Sequence, residues 1–264
     1  MNDSMRPVVG VLHPGAMGAA IGSALKPAAG AVIWAAAGRS DATAKRAETA
    51  DLVGVPDVVE LARRADVIIS ICPPHAARDV AEQVAAALDG APRRPLFVDA
   101  NAVAPATVQG IGELLGAEHV VDAAVIGPPA WEPGRTTLWI SGAAAGPVAK
   151  LFEGSPFEPR VLGPDLGTAS GLKVCFAMQS KALSALWLEL AEAARRYGVE
   201  DALREQLGRV GVDFTAKLDA AGGQATAKAW RWAGEMDEAG DALAALGLPD
   251  GFSRAAAQMY RRMA

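Results

Sequence analysis

Along its first half the chain alternates short apolar runs, rich in β-branched residues, with Ala-rich stretches whose apolar positions recur at helical spacing. The runs Val8 to Leu12, Ala31 to Ala35, Val67 to Cys72, Leu96 to Asp99, Val120 to Val125 and Thr136 to Ser141 read as strands. Several are apolar at successive positions, the pattern of strands covered on both faces. Gly15 to Leu25, Ala42 to Ala50 and His75 to Leu88 read as helices between the early strands. Strands joined by helices predict a parallel sheet with helices on both faces, and right-handed crossovers make it doubly wound. Two turn-rich stretches follow, GPPAWEPG (Gly127 to Gly134) and GSPFEPRVLGP (Gly154 to Pro164). Beyond Pro164 the pattern changes. Leu166 to Tyr197 holds no proline and is dense in strong helix formers, so one long helix is expected there, stopped at Gly198. The rest reads as further helices, broken at Gly222-Gly223 and at Leu248-Pro249-Asp250-Gly251. The expected organisation is a doubly wound α/β domain over 1–164 and an all-helical domain over 165–264, entered by the long helix.

Composition narrows the function classes. Of 264 residues, 51% are hydrophobic and 21% charged, which suits a folded chain with a core of small aliphatic side chains. The net charge is -5, with no basic stripe, so a nucleic-acid partner is not expected. No run of 18 apolar residues lacks a charge or a proline; the closest, Gly18 to Gly38, carries Lys26 and Pro27, so no membrane span is expected. The first residues, MNDSMRP, have no apolar signal core, and a cytoplasmic location is expected. Cys72 and Cys175 sit in apolar runs and read as reduced, buried thiols. His13, His75 and His119 are too scattered for a His-rich metal site, and no metal is expected.

The chemistry begins at the first strand. It runs directly into Leu12-His13-Pro14-Gly15-Ala16-Met17-Gly18, and a helix follows. In that setting glycines carry the dinucleotide fingerprint of the Rossmann fold. Gly15 admits a pyrophosphate to the backbone, Gly18 permits close helix–strand packing, and the helix N-terminus offers free N–H groups. The first glycine of G-x-G-x-x-G is replaced by His13, which either contacts the cofactor or fills the turn. NAD-binding folds usually carry an acid at the end of the second strand for the ribose 2′-hydroxyl. Here the stretch is Trp34-Ala35-Ala36-Ala37-Gly38-Arg39-Ser40, without an acid. A guanidinium and a hydroxyl suit a 2′-phosphate, with Thr43 and Arg46 in support, so the expected cofactor is NADP(H).

These motifs, in this order, resemble the β-hydroxyacid dehydrogenase and 6-phosphogluconate dehydrogenase superfamily. Within it, the chain looks most like the branch whose phosphogluconate-dehydrogenase-like C-terminal domain has no defined substrate. The resemblance spans nearly the whole chain: LHPGAMG, DVIISICPP (Asp66 to Pro74), VDANAVAPAT (Val98 to Thr107), VDAAVIGPP (Val121 to Pro129), GTASGLKVCFA (Gly167 to Ala177) and KAWRWAGEM (Lys228 to Met236). It implies that Cys72, Pro73 and Pro74 border the cofactor. It also implies that Asn101, standing where relatives carry a serine, meets the nicotinamide ribose or the substrate; a strand-end turn is the alternative. Lys173 matches the family's catalytic lysine. Its ammonium would stabilise a developing alkoxide and donate the proton in carbonyl reduction, and the neutral amine would accept it in reverse.

Two departures bear on the substrate. The Ser-Gly-Gly that holds a substrate carboxylate in relatives is replaced by Ile126-Gly127-Pro128, and the Asn four residues after the lysine is Ala177. A hydroxyl anchor is missing, Pro128 has no N–H, and a more apolar pocket is expected. The resemblance further implies a homodimer formed through the helical domain, in which Trp232 and Glu235 either face the substrate or pack between helices. Three functions follow: an NADP(H)-dependent oxidoreductase acting on a small carbonyl or hydroxy compound, an imine reductase of the same architecture, and a non-catalytic NADPH sensor. Retention of Lys173 speaks against the last two.

Overall fold

The computed structural model describes residues 6–264, except for the side chains of 224–227. The chain divides into two compact units, the first ending at Lys173 and the second starting at Val174.

In the first unit every strand expected from the pattern forms: β1 (Val8–Val11), β2 (Ala31–Ala35), β4 (Val67–Ser70), β5 (Leu96–Asp99), β6 (Val120–Ile126) and β7 (Thr136–Ser141). Two more join them, β3 (Val53–Val55) and β8 (Phe157–Gly163). The sheet order is β3-β2-β1-β4-β5-β6-β7-β8. It is parallel through β6, after which β7 pairs antiparallel with β6 and β8 parallel with β7. The first six strands thus follow the dinucleotide-binding order. The antiparallel step corrects the all-parallel expectation. No helix separates β6 from β7, and a short loop joins only antiparallel neighbours. β8 corrects the reading of Gly154 to Pro164 as turns. It is an edge strand that buries chiefly Phe157, edge-on to Phe152 at 5.7 Å, so its Pro159 and its exposed Val161 and Leu162 hide the strand pattern.

Seven helices complete the unit or lead out of it: α1 (Ala16–Leu25), α2 (Asp41–Thr49), α3 (Val58–Arg64), α4 (Ala77–Ala87), α5 (Pro105–Leu115), α6 (Ala145–Leu151) and α7 (Thr168–Ala177). Alternate strand residues feed two cores. Val9, Val11 and Ile69 pack with Ile21 and Leu25 of α1, while Ile33, Ile68 and Phe97 pack with Leu61, Val80, Val84 and Val108 of α3, α4 and α5. That is the period-two pattern of strands buried on both faces.

A π-helical turn, Met178–Ala182, joins α7 to α8 (Leu183–Tyr197), and left-handed Gly198 ends the run as expected. Then come α9 (Glu200–Arg209), α10 (Phe214–Ala245) and α11 (Gly251–Met263). α10 passes through Gly222-Gly223, contrary to the expected break. An interior glycine costs only about 1 kcal/mol, which the packing of α10 on α11 and α8 outweighs. Within the second unit Trp232 is 6% exposed and lies edge-on to Tyr260 at 5.3 Å. The Tyr260 hydroxyl donates to the Lys181 carbonyl at 2.7 Å, and Lys181 pairs with Glu235, which also receives Arg231 at 3.2 Å. Cys175 is exposed, not buried, because the apolar residues of α7 wrap around more than one face. Among the described residues no helix is long and apolar enough to cross a membrane, and no cluster of His, Cys, Asp or Glu has metal-site geometry.

One buried carboxylate fixes where α7 begins. Asp122 on β6 is fully buried. It accepts the N–H groups of Gly167 (3.1 Å) and Ser170 (2.9 Å) and the hydroxyls of Ser170 (2.7 Å) and Ser141 (3.2 Å). These include donors at the start of α7 that have no partner within the helix. Burial pushes the Asp122 pKa up, against the pull of these donors. Asp122→Ala strands all of them and should cost about 3 kcal/mol or more in urea unfolding. Asp122→Asn keeps an acceptor without a buried charge and should cost markedly less. The folded pKa lies above the unfolded one. Protonation therefore adds stability below the ordinary carboxylate value, and that gain is lost as pH rises through the raised value. The Asn variant should lack this component of the pH slope. Equal losses for the two variants, or an unchanged slope in Asn, would contradict the role.

Candidate dinucleotide and substrate site

The β1–α1 turn forms at the carboxyl end of the sheet. Buried Leu12 donates its N–H to the Ile69 carbonyl at 3.1 Å, Pro14 is buried, and Met17 packs against the core. Gly15 is the N-cap of α1, whose first turn carries neither a side-chain cap nor an acid. The helix therefore presents N–H groups and the positive end of its dipole with nothing local to absorb them. Gly18 is required by close approach: a Cβ there would stand 2.2 Å from the His13 carbonyl oxygen.

At the end of β2, Ser40 caps α2 by accepting the Thr43 N–H at 3.3 Å, and the two hydroxyls lie 3.1 Å apart. Arg39 precedes them, with its Nε buried and without a hydrogen-bond partner. The Nδ1 of His13 is in the same condition. Burial, and secondarily the charge of Arg39, lowers the His13 pKa to about 4, so the imidazole is neutral. Cys72, at the end of β4, is pushed up to about 12 by burial and by Asp99, so its thiol stays protonated. The ends of β1 and β2 thus hold two buried nitrogens without partners, His13 Nδ1 and Arg39 Nε, beside the positive end of the α1 dipole, an arrangement suited to an anionic group. Arg46, expected beside Arg39, lines a cavity of about 470 Å³ with Ala16, Ala19, Lys45, Pro129 and Trp131.

Asn101 is 3% exposed and ties the strand ends together. Its Oδ1 accepts the Cys72 N–H at 2.6 Å, and its Nδ2 donates to Ser70 Oγ (3.2 Å) and Asp99 Oδ2 (2.8 Å). Both amide hydrogens are used, which leaves one Oδ1 lone pair as its spare capacity. Pro73 and Pro74 follow Cys72 into a short 3₁₀ turn that leads to α4.

The structure brings Lys173 to the segment expected to hold substrate. Its Nζ donates to the carbonyl of Val125, next to Ile126-Gly127-Pro128. Gly127 has φ +136, and a Cβ there would lie 2.4 Å from the Arg135 carbonyl oxygen. Thr136 Oγ1 donates to the Pro128 carbonyl at 2.6 Å and closes the turn. Ala177 is buried, and Trp232 and Glu235 have their partners inside the second unit. The sequence reading passed over Asp122, Ser141 and Ser170, which position Lys173. The available signal was an acid inside the otherwise apolar run VVDAAVI.

Residues 8–102 match the family model described as NADP oxidoreductase, coenzyme F420-dependent, and residues 194–263 match a domain of unknown function, DUF1932. An uncharacterized 28.5 kDa protein of Methanothermus fervidus is 33% identical over 172 residues, a match spanning 64% of this chain and 64% of that protein, just under two thirds of its length. Among solved structures, a conserved protein of unknown function described as similar to 3-hydroxyacid dehydrogenases is 26% identical, with a TM-score of 0.72 over 97% of this chain and 96% of its own. Mycobacterium tuberculosis 3-hydroxyisobutyrate dehydrogenase, solved with L-serine, has a TM-score of 0.71 at 19% identity over 98% of this chain and 94% of its own. An imine reductase from Myxococcus stipitatus, solved with NADP+, has a TM-score of 0.57 at 18% identity over 97% and 93%. With its nucleotide-binding first unit, its DUF1932 segment and this shared fold, the chain fits the NAD(P)-binding, hydroxyacid-dehydrogenase-like superfamily.

Proposed function

We propose that the protein is an NADP(H)-dependent oxidoreductase that interconverts a small carbonyl compound and its alcohol, with Lys173 as the proton donor and acceptor. The observation that carries this reading is the hydrogen bond from Lys173 to the Val125 carbonyl, which holds an ammonium at the carboxyl end of β6 beside Ile126-Gly127-Pro128. Ligands of open α/β sheets bind outside the carboxyl ends of the strands. The residues at the ends of β1 and β2 fit the cofactor: the uncapped start of α1 suits the pyrophosphate, and the unpartnered Nε of Arg39 with Ser40 and Thr43 suits a 2′-phosphate. When bound, the nicotinamide supplies or accepts the hydride. Lys173 stabilises negative charge on the substrate oxygen and delivers its proton. Asp122 keeps the lysine's helix in place, and the Asn101 clamp holds the ends of β4 and β5 in register. The main test is NADPH oxidation against a panel of 2- and 3-oxo acids, aldehydes and cyclic imines; no turnover with any oxo compound would overturn the reading.

The second unit exposes Leu186, Trp230 (60%) and Phe252 (72%). Apolar exposure of this size on one small helical unit is the mark of an interface, and we assign it to a homodimer. Trp187, half-buried and leaning on Phe214 at 6.4 Å, adds less, and Trp232 is buried. Light scattering at micromolar concentration should give twice the chain mass; a monomer would contradict the assignment.

Arg39→Ala should weaken NADPH binding by about 1.5–3 kcal/mol, the range for a charged hydrogen bond, and leave NADH nearly unchanged. Wild-type protein that binds NADH as tightly as NADPH would remove the cofactor preference. Lys173→Met should lower kcat by about 10²-fold or more while NADPH affinity holds, because the alkoxide charge arises only in the transition state. Near-wild-type turnover would make Lys173 a bystander and favour imine reduction.

A further inference from the structure

At position 13 the chain carries an imidazole where the dinucleotide fingerprint has its first glycine. The imidazole Nδ1 is buried and unpartnered, and so is the Nε of Arg39. β1 lies between β2 and β4 and is parallel to both, so His13, Arg39 and Cys72 stand just beyond the carboxyl ends of three neighbouring strands. The groups facing His13 can be named element by element. The β2–α2 turn contributes the guanidinium of Arg39. The end of β4 contributes the Cys72 thiol, kept protonated by burial and by Asp99 of β5. α1 has no acid in its first turn. A cation and a neutral imidazole therefore share a partly buried corner in which no carboxylate acts on His13.

We propose that His13 and Arg39 together recognise the adenosine 2′-phosphate, and that His13 takes up a proton as this phosphate binds. The inference rests on the NADP(H) reading above and deepens it. A phosphate dianion supplies acceptors to both orphaned nitrogens and reverses the local field. Without it, burial and Arg39 hold the imidazole pKa down at about 4, so that it is neutral near neutral pH. With it, an opposite charge beside the ring favours the imidazolium, and the histidine titrates nearer neutrality. A 2′-hydroxyl brings no charge, so NADH leaves His13 neutral. The preference for NADPH over NADH should then strengthen as pH falls from 8.5 to 6.5, by at most tenfold per pH unit for one proton. The phosphate's own second ionisation, near pH 6, sets the lower end of this window.

The test measures dissociation constants of NADPH and NADH by fluorescence titration at pH 6.5, 7.5 and 8.5. It also measures proton uptake by calorimetry in two buffers of different ionisation enthalpy. Wild type should take up a fraction of a proton with NADPH at pH 6.5 and none with NADH. His13→Gln, which keeps a polar group but cannot be protonated, should lose that uptake and lose several-fold of NADPH affinity at pH 6.5, with a smaller loss at pH 8.5. Thermal melting confirms the fold of the variant, and His13→Asn stands in should Gln destabilise the turn. Independently, the His13 ring resonances should titrate at higher pH in the NADPH complex than in the free protein; with three histidines in the chain they are readily assigned. Unchanged proton uptake and pH slope in His13→Gln would overturn the proposal while the NADP(H) reading stands. Arg39→Ala with an unchanged ratio of NADPH to NADH affinity would instead overturn the parent reading.

Discussion

The carboxylate of Asp122 is the main buried contact that places the helix carrying Lys173. A carboxylate inside a buried strand is expensive to desolvate, and the start of a helix leaves N–H groups without partners. β6 and α7 resolve both problems at one point, with two serine hydroxyls filling the remaining positions around the carboxylate. That contact fixes the height and rotation of α7 against β6. A second contact lies three residues further along each element, from Lys173 to the carbonyl of Val125. The helix and the strand therefore advance side by side in the same direction. Three helical residues rise about 4.5 Å and three strand residues about 10 Å, and an extended lysine side chain spans the difference.

Hydrogen-bond satisfaction separates the scaffold from the face that meets a ligand. Asp122 and Asn101 are surrounded by partners, and their work is to hold α7 and the ends of β4 and β5. At His13, Arg39 and the start of α1 the reverse holds: a buried ring nitrogen and a buried guanidinium nitrogen have no partner, and the helix start has no side-chain cap. Buried polar groups in folded proteins are nearly always paired, so unpaired ones gathered at the carboxyl ends of parallel strands mark where an external acceptor belongs. The low pKa of His13 comes first from burial, and Arg39 lowers it further because a proton there adds to its charge instead of opposing it.

The parts legible in the sequence were those whose signal is local. Uninterrupted apolar runs located the inner strands, and the spacing of Gly15 and Gly18 after β1 located the turn into α1. The lack of an acid before Arg39 was equally plain. What escaped depended on distant partners. β8 buries little beyond Phe157, and its pairing with β7 is what makes it a strand. Gly222-Gly223 looked like a break because local propensity cannot register the helices packed along α10. Asp122 was visible as an acid in an apolar run, but its purpose is set by Gly167 and Ser170, more than forty residues away in sequence. Asn101 stood out as a candidate ligand, whereas its contacts with Ser70, Cys72 and Asp99 arise only once β4 and β5 are neighbours.

The segment facing Lys173 shows how little of its surroundings can adapt. Gly127 occupies a conformation that side chains rarely adopt, with the Arg135 carbonyl oxygen where a Cβ would stand. Pro128 fixes its own φ, lacks an N–H, and gives its carbonyl to Thr136. This turn, whose Pro128 carbonyl is already engaged, offers the Ile126 side chain and the Gly127 backbone where relatives carry a hydroxyl. In the proposed reaction, polar recognition along this stretch would fall to the Lys173 ammonium, and a lysine that both orients a substrate oxygen and protonates it would tie binding to chemistry, because the charge that attracts the oxygen is the proton it receives.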